Sequence, residues 1–592
     1  MTGADMIMQV LADEGVDTIF GYSGGAILPT YDAVFRFNKE HPKKPINLVV
    51  PANEQGAGFM AAGYSRATGR VGVSLVTSGP GATNSVTPVR DCAADSIPLV
   101  VICGQVARAA VGTDAFQEAP VFGIMSACAK HVFLIKNELE LEETVRSAFH
   151  IARTGRPGPV VLDIPKDVQN YVGTFKGEGL LPMTGYQARL SRVEDARLTE
   201  TQKADFFALL AQSKRPLIYA GGGIINGDAA EELRTFINRY KIPSVTTLMG
   251  IGAIDTTEPL SLHMLGMHGM AYANYATMDC DFLISLGARF DDRVAGVAKE
   301  FAKHAKIAHI DVDAAEINKV KPAHWHHVGN VKTALQELLD YDKKGITLDS
   351  GDWLKHIAAM KERHKQNFNR NADVIQPQLV CEVLNEITKG EAIIVTGVGQ
   401  HQMFAAQHFD YKHPRSWITS GSMGTMGFGL PAAIGAQFGC PGKIVIDVDG
   451  DGSIRMNMGE LETCTTYDIP VKVLLLNNLG DGMVVQWQTL YFDSRFSGTD
   501  KALHKKDFVK AAEADGFGFA RRVEKESDLR EALEAFIKHD GPAFLEVMVD
   551  KLAFVYPMVG PGHHYGQMIT GPYIEGRESA PQKETLDTSD AF

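Results

Sequence analysis

Ile444-Val445-Ile446-Asp447-Val448-Asp449-Gly450-Asp451-Gly452-Ser453 decides the fold: an apolar run stops at a Gly-Asp-Gly turn and gives way to a helical pattern. A second apolar run, 471–476, ends in Asn477-Asn478. Apolar runs joined by helical crossovers build parallel sheets, and polar residues at the carboxyl ends of such strands face the crevice where ligands bind. Asp-Gly alone is an ordinary turn and Asn-Asn an ordinary strand end. Together at neighbouring strand ends they make an oxygen-rich place for a hard cation: the Asp451 carboxylate, the Asn478 side-chain carbonyl and the main-chain carbonyl of Gly480. Gly452 lets the backbone come close to a polyanion, and the N–H groups at the helix start, with the Ser453 hydroxyl, would hold it.

Working outward, the same alternation fills 376–560, with further strands expected at 392–396, 416–419 and 543–549. It appears twice upstream, in 1–174 (runs at 47–50, 71–76, 99–102 and 160–164) and in 198–341 (216–220, 244–247, 282–286 and 307–310). Segments 175–197 and 342–373 lack clear periodicity and read as linkers, and 561–592 reads as a tail that is mobile or folds onto a partner. The expectation is therefore an α/β protein of three doubly wound parallel-sheet domains in a row.

Length and composition agree. At about 150 residues per domain, 592 residues hold three such units, and 45% hydrophobic with 22% charged residues is a globular balance. The net charge of -13 comes without long single-sign blocks, which argues against a nucleic-acid or membrane-surface partner. Seven scattered cysteines, none in a C-x-x-C pair, read as reduced thiols. The N-terminus leads straight into an amphipathic segment, and no run reaches the roughly 18 apolar residues of a membrane span. A cytoplasmic address is the expectation.

The Gly450-Asp451-Gly452 and Asn477-Asn478 pair resembles the diphosphate motif of thiamine diphosphate enzymes. That resemblance gives Asn53-Glu54-Gln55-Gly56-Ala57 a meaning beyond a favourable charge at a helix start: a carboxyl group held against the aminopyrimidine ring nitrogen makes the thiazolium carbon nucleophilic. In such enzymes this acid comes from the domain opposite the diphosphate site, which implies an active site between subunits and a dimer as the smallest competent unit. Met426, within Gly424-Thr425-Met426-Gly427, becomes a candidate wedge between the cofactor rings rather than core filler.

Nearly the whole chain is similar to the catalytic subunit family of acetohydroxyacid (acetolactate) synthases. The similarity is carried by Phe20-Gly21-Tyr22, by 77–84 (TSGPGATN), 112–118 (GTDAFQE) and 155–167, by Gly399-Gln400-His401-Gln402-Met403 and by Gly482-Met483-Val484-Val485-Gln486-Trp487. In the middle domain, Leu265-Gly266-Met267-His268-Gly269 and 288–294 (ARFDDRV) resemble segments with which this family holds FAD. The resemblance implies Pyr, FAD-binding and PP domains, with thiamine diphosphate, Mg2+ and FAD as cofactors. Its thiamine diphosphate set is Pro80, Asn84, Val398, Gly399, Gln400, His401, Gly424, Met426, Gly450, Gly452, Ser453, Gly482 and Met483. For FAD it implies Gly221, Gly222, Gly223, Thr247, Leu265, Gly266, Met267, His268, Gly287, Arg289, Arg293, Asp311 and Val331.

The implied reaction is decarboxylation of pyruvate and ligation of the two-carbon unit to a second 2-oxo acid, pyruvate or 2-oxobutyrate, the first common step toward the branched-chain amino acids. Arg293 matches the position that pairs with the acceptor carboxylate, and Trp487 the wall of its alkyl pocket. Gln117 and Lys166 match the substrate approach, Phe116 packs beside the reacting centre, and Gly25 lies in the loop whose N–H faces a developing oxyanion. A homodimer or tetramer and a small regulatory subunit accompany the reading.

The chain departs from the family at Ala52-Asn53, where Arg-His is usual, at Leu479-Gly480-Asp481, and at Asn330, where an Asp is common. The alternatives are another thiamine diphosphate carboligase or acetyltransferase, and a flavin-dependent 2-oxo acid oxidase. Glu54 speaks against a glyoxylate carboligase, in which that position is not acidic.

Overall fold

The computed structural model describes residues 1–343 and 345–577. Three six-stranded sheets follow one another along the chain. The first holds β1 (Thr18–Tyr22), β2 (Asn47–Val49), β3 (Gly72–Val76), β4 (Leu99–Gln105), β5 (His131–Leu134) and β6 (Pro159–Pro165). The second holds β7 (Pro216–Ala220), β8 (Ser244–Thr246), β9 (Ser261–Met264), β10 (Phe282–Leu286), β11 (Lys306–Asp311) and β12 (Trp325–Val328). The third holds β13 (Ile393–Thr396), β14 (Trp417–Ile418), β15 (Val445–Gly450), β16 (Lys472–Asn477), β17 (Phe519–Val523) and β18 (Ala543–Met548).

The strand orders are β2-β1-β3-β4-β6-β5, β12-β11-β10-β7-β8-β9 and β14-β13-β15-β16-β18-β17, with every pairing parallel. Helices cover both faces of a parallel sheet, so its inner strands are predominantly apolar. That is why β3, β4, β6, β7, β10, β15 and β16 are buried at every residue. In each sheet the chain builds to one side and then crosses to the other, leaving a crevice between β1 and β3, between β7 and β10, and between β13 and β15. Ligands of open α/β sheets bind at such switch points.

The first and third domains share a core. Helix Glu54–Thr68 crosses helix Gly429–Gly439 with backbones in contact: a Cβ on Gly63 would stand 2.0 Å from the Ala432 carbonyl oxygen, and one on Gly435 1.8 Å from that of Met60. Phe59, Met60, Leu430 and Ile434 fill the space around the crossing.

Both expected linkers contain a helix. Helix Thr184–Glu194 buries no residue, so no apolar face could announce it. Helix Gly351–Arg363 buries Trp353, Ile357 and Met360 at helical spacing inside a charged stretch. The expectation of a mobile or partner-bound tail is also corrected for its described part. Tyr565, Met568 and Ile574 pack into the middle-domain core, Tyr565 donates to the Val294 carbonyl, and Arg577 pairs with Asp279. The rest of that segment, 578–592, lies outside the described residues.

Candidate active site

At the β13/β15 switch point a crevice is lined by Val398, Gly399, Gln400, His401, Met426 and 450–453, and closed on its far side by Asn478, Gly480, Gly482 and Met483. The turn needs glycine: a Cβ on Gly452 would stand 2.2 Å from Asp481 Oδ1 and 3.3 Å from Met426 Cε. Ser453 is buried, and its hydroxyl accepts from the Val398 and Gly427 amides at 3.3 and 3.0 Å, tying three loops together at the crevice floor. Asn478 Nδ2 donates to Gln400 Oε1 at 3.2 Å, while its Oδ1 accepts only from the Gly480 amide, at 3.2 Å.

The electrostatics favour a cation bound to a polyanion. Asp451 is buried, and desolvation pushes its carboxyl up to about 7, with Lys501 opposing and Asp481 adding to the shift. A buried carboxylate held this reluctantly gains from a metal ion. Burial also pushes His401 down to about 3, so it is a neutral donor or acceptor, and its Nε2 has no hydrogen-bond partner. Among the described residues no three His, Cys, Asp or Glu side chains gather as a metal cluster. The oxygen set is instead one carboxylate, one amide and one main-chain carbonyl, which leaves coordination positions for diphosphate oxygens. The donor set and the glycine-lined cradle fit thiamine diphosphate with Mg2+.

Beyond the shared wall of Val398, Met483 and Val484 lies a cleft of about 1410 Å3, lined by the middle and third domains and, at one end, by first-domain residues such as Asp95 and Arg156. Its walls carry Gly221, Gly222, Gly223, Thr247, Leu265, Met267, His268, Gly287, Arg289, Arg293, Asp311 and Val331. Only Gly266 of the expected flavin set lies off the wall; it shapes the turn, with Met267 N donating to the Arg293 carbonyl at 2.9 Å. Gly223 and Gly287 touch at the β7/β10 switch point, where a Cβ on Gly223 would lie 2.6 Å from Gly287 Cα and Gly287 has φ +56°. A volume above the roughly 300–1000 Å3 of drug-sized pockets and a Gly-lined helix start suit a dinucleotide such as FAD. Asn330 caps helix Val331–Tyr341 by accepting from Lys332 and Thr333, so the departure at this position retains a structural task.

Trp487 and Met483 line the same cleft near Val398 and Gly424. Arg293 is largely exposed there, its Nη1 only 3.6 Å from Asp292, so the guanidinium keeps most of its donors free. A surface ion pair alone would not put it on the cleft wall.

The remaining expected residues gather elsewhere. Glu54 opens its helix behind the Asn53 cap; Asn84 Nδ2 donates to its Oε2 at 2.9 Å, and a Cβ on Gly81 would stand 3.3 Å from its Oε1. Near the β1/β3 switch point Gly79, just before Pro80, lies against Gln117, where a Cβ on Gly79 would stand 2.7 Å from the Gln117 carbonyl oxygen, and Gln117 itself has φ +59°; a Cβ on Gly25 would meet open space. Phe116 is 88% exposed, and Lys166 stands exposed after β6. None of these residues lines the crevice or the cleft of its own chain.

Comparison with known proteins agrees with this layout. Residues 1–124, 204–338 and 397–547 match the thiamine pyrophosphate enzyme families described as N-terminal TPP binding domain, central domain and C-terminal TPP binding domain. Acetolactate synthase 1, chloroplastic, of Nicotiana tabacum is 43% identical over 577 residues, 96% of this chain and 85% of the relative. The chain belongs to the acetolactate synthase family. The large subunit of acetolactate synthase isozyme 2 from Escherichia coli is 41% identical over 96% of this chain and 99% of its own length. The mitochondrial acetolactate synthase catalytic subunit of Saccharomyces cerevisiae is 42% identical over 98% and 85%. This acetolactate synthase family member is thus a thiamine diphosphate enzyme, and among its described residues no helix is long and apolar enough to cross a membrane.

For a member of the acetolactate synthase family, two charged neighbours of the cradle stand out that sequence reasoning did not single out as a pair. Asp481 Oδ2 accepts from Lys501 Nζ at 2.5 Å, and its Oδ1, facing Gly452, has no partner. The helix Gly482–Tyr491 and an irregular stretch after it separate the two, so no single periodicity could join them.

Proposed function

We propose that this protein condenses two 2-oxo acids with loss of carbon dioxide, making 2-acetolactate from pyruvate and 2-aceto-2-hydroxybutyrate when 2-oxobutyrate is the acceptor. The observation that carries the reading is that the Asp451/Asn478 cradle and the cleft bearing both Arg293 and Trp487 adjoin, sharing Val398, Met483 and Val484 as their common wall. Thiamine diphosphate, when bound, supplies the carbon nucleophile and electron sink that decarboxylation of a 2-oxo acid requires. Asp451, Asn478 and the Gly480 carbonyl would hold Mg2+, and the Gly452 turn and His401 would face the diphosphate. Met426 would support the rings from below.

Glu54 Oε2 already accepts from Asn84, which leaves Oε1 to hold a proton against the pyrimidine ring nitrogen. Because the Glu54 cluster lies off its own chain's cavity, a second copy supplies it, and Gly25, Gln117, Phe116 and Lys166 come with it. Exposed Tyr22, Leu28, Phe35, Phe116 and Phe122 on the first domain support such a dimer. Arg293 would receive the acceptor's carboxylate through paired N–H donors, and Trp487 its alkyl group. FAD would fill the middle cleft without a redox step. Pairing of dimers into tetramers, a small regulatory subunit and a cytoplasmic address belong to the same proposal.

The test is product analysis with pyruvate, thiamine diphosphate, Mg2+ and FAD. One carbon dioxide for each acetolactate, without oxygen uptake, is expected. Oxygen consumption matching pyruvate turnover would identify an oxidase, and loaded enzyme making no acetolactate would remove the reading.

A further inference from the structure

The three domains of one chain meet at a buried charge cluster. Arg66 Nη2 lies 2.9 Å from Asp91 Oδ2 and 2.9 Å from Asp95 Oδ2, with all three side chains almost fully buried. Arg66 belongs to the helix that starts at Glu54, and both aspartates to helix Val86–Asp95 of the first domain. Two negative charges against one positive leave an excess that burial tolerates only if donors satisfy it.

Those donors come from the third domain. Ser420 Oγ and Thr425 Oγ1 donate to Asp91 Oδ1, the second at 3.3 Å, while the Gly421 and Ser422 amides donate to Asp95 at 2.9 and 2.8 Å. The segment they fix runs directly into Gly424 and Met426, and Phe428 just beyond lies 4.8 Å under the Arg66 guanidinium. From beneath, first-domain charge therefore sets the height of the loop that carries Met426.

On its other side the same loop is a wall of the flavin-sized cleft. Asp95, Gly421, Ser422 and Gly424 line it, and Arg289 of the middle domain donates to Ser422 Oγ at 2.6 Å. Ser422, Met423 and Gly424 are exposed toward the cleft. A ligand packed in the cleft would cover this wall and restrict a segment whose ordering the thiamine site also needs. When two ligands require the same ordered segment, the first to bind lowers the ordering cost for the second.

We propose that Asp95 and Ser422 are positioning residues that couple the two cofactor sites, so that FAD in the middle cleft tightens thiamine diphosphate binding by holding the loop at 420–426. The inference rests on the cofactor reading above. Neither residue touches the reacting atoms; each acts through the placement of Met426.

The experiment titrates thiamine diphosphate, at fixed Mg2+, into the cofactor-stripped full chain with and without saturating FAD, by calorimetry. FAD is expected to tighten thiamine diphosphate binding about 5- to 150-fold, the usual range of coupling between sites, and thiamine diphosphate must tighten FAD by the same factor. In Ser422→Ala and Asp95→Asn the ratio should fall toward one while each ligand still binds alone, and Ser422→Thr should restore it. A wild-type ratio of one, or an undiminished ratio in Ser422→Ala, overturns the coupling while leaving the cofactor reading intact. Failure of the wild-type chain to bind FAD at all overturns both. Should Asp95→Asn fail to fold, Ser422→Ala, which loses only a hydroxyl on the cleft side, decides alone.

Discussion

Asn84 Nδ2 donates to Glu54 Oε2 at 2.9 Å, and both residues stand on the first domain, outside the cavity that the third domain of the same chain contributes. If a second copy brings this pair to the cofactor, mutations can complement across the dimer. Glu54→Gln should lower turnover by roughly 10²- to 10⁴-fold, the range for a lost acid–base group, with an unchanged circular dichroism spectrum. Asp451→Asn should fail through metal binding. Coexpressed, the two inactive chains form a mixed dimer in which one site has both defects and the other has none. Purified mixed dimers should therefore recover about half of wild-type activity per dimer if each site works independently. No recovery would mean that each site is built within one chain.

Trp487 stands on the cleft wall with its ring 5.5 Å from that of Tyr491, in an edge-on arrangement. A flat wall of this kind discriminates between a methyl and an ethyl group by packing alone, worth about 1–3 kcal/mol. Trp487→Leu should therefore shift the product ratio in a pyruvate/2-oxobutyrate competition about tenfold toward acetolactate, with total turnover changed less. An unchanged ratio assigns the indole to packing against Tyr491.

How far these features could be read in advance depended on where each residue sits in its sheet. The inner strands announced themselves because burial on both faces makes them predominantly apolar, as in the Val445-Ile446 and Val473–Leu476 stretches of β15 and β16. Four strands that went unread, β5, β9, β12 and β17, lie at sheet edges. Three of them expose part of their length, and sequences such as Trp325-His326-His327 or Phe519-Ala520-Arg521-Arg522 hide a strand among polar side chains. The fifth, β1, was legible only as the Phe20-Gly21-Tyr22 motif. The cradle at 450–453 was visible because its residues are contiguous. The Asp481–Lys501 pair and the Arg66–Asp91–Asp95 cluster depend on tertiary contacts that no local pattern encodes.

Glu460 gives a pH prediction away from the proposed cation site. It is buried beneath Gly56, its Oε2 accepting from the Ala52 amide at 3.1 Å and from Thr463 at 2.7 Å, while Oε1 has no partner. Desolvation pushes its carboxyl up to about 7 despite those hydrogen bonds. The folded state thus binds this proton more tightly than the unfolded chain, whose glutamate titrates near 4.3. The resulting stability is fully present below about pH 4.3 and is lost as pH rises through about 7. Glu460→Gln keeps the shape without the titration, so its melting temperature should fall less than wild type between pH 6 and pH 8. Other buried carboxyls titrate in both proteins and cancel in that difference. Parallel melting curves would mean that Glu460 is already ionised in the fold.

The C-terminal arm carries the last prediction. The Val559 amide donates to the Met267 carbonyl at 2.8 Å, Tyr565 donates to the Val294 carbonyl, and the Pro557 carbonyl meets His268 Nδ1 at 3.1 Å. These contacts fall on the two middle-domain segments, 265–269 and 290–294, that contribute to the cleft wall, the second of which carries Arg293. The arm therefore fixes the backbone that presents the Arg293 guanidinium, the proposed site of the acceptor carboxylate, although it does not itself line the cavity. Ending the chain after residue 562 removes Tyr565, Met568 and Ile574 from the core and uncovers apolar surface around Phe301. The truncated protein should release FAD more readily and show a raised KM for the acceptor, while thiamine diphosphate affinity changes less. Tyr565→Phe isolates the hydrogen bond from the packing and should cost about 1 kcal/mol of stability, the net worth of one such bond plus an unpaired carbonyl. Equal losses of FAD and thiamine diphosphate in the truncated protein would show that the arm supports the whole molecule rather than this wall of the cleft.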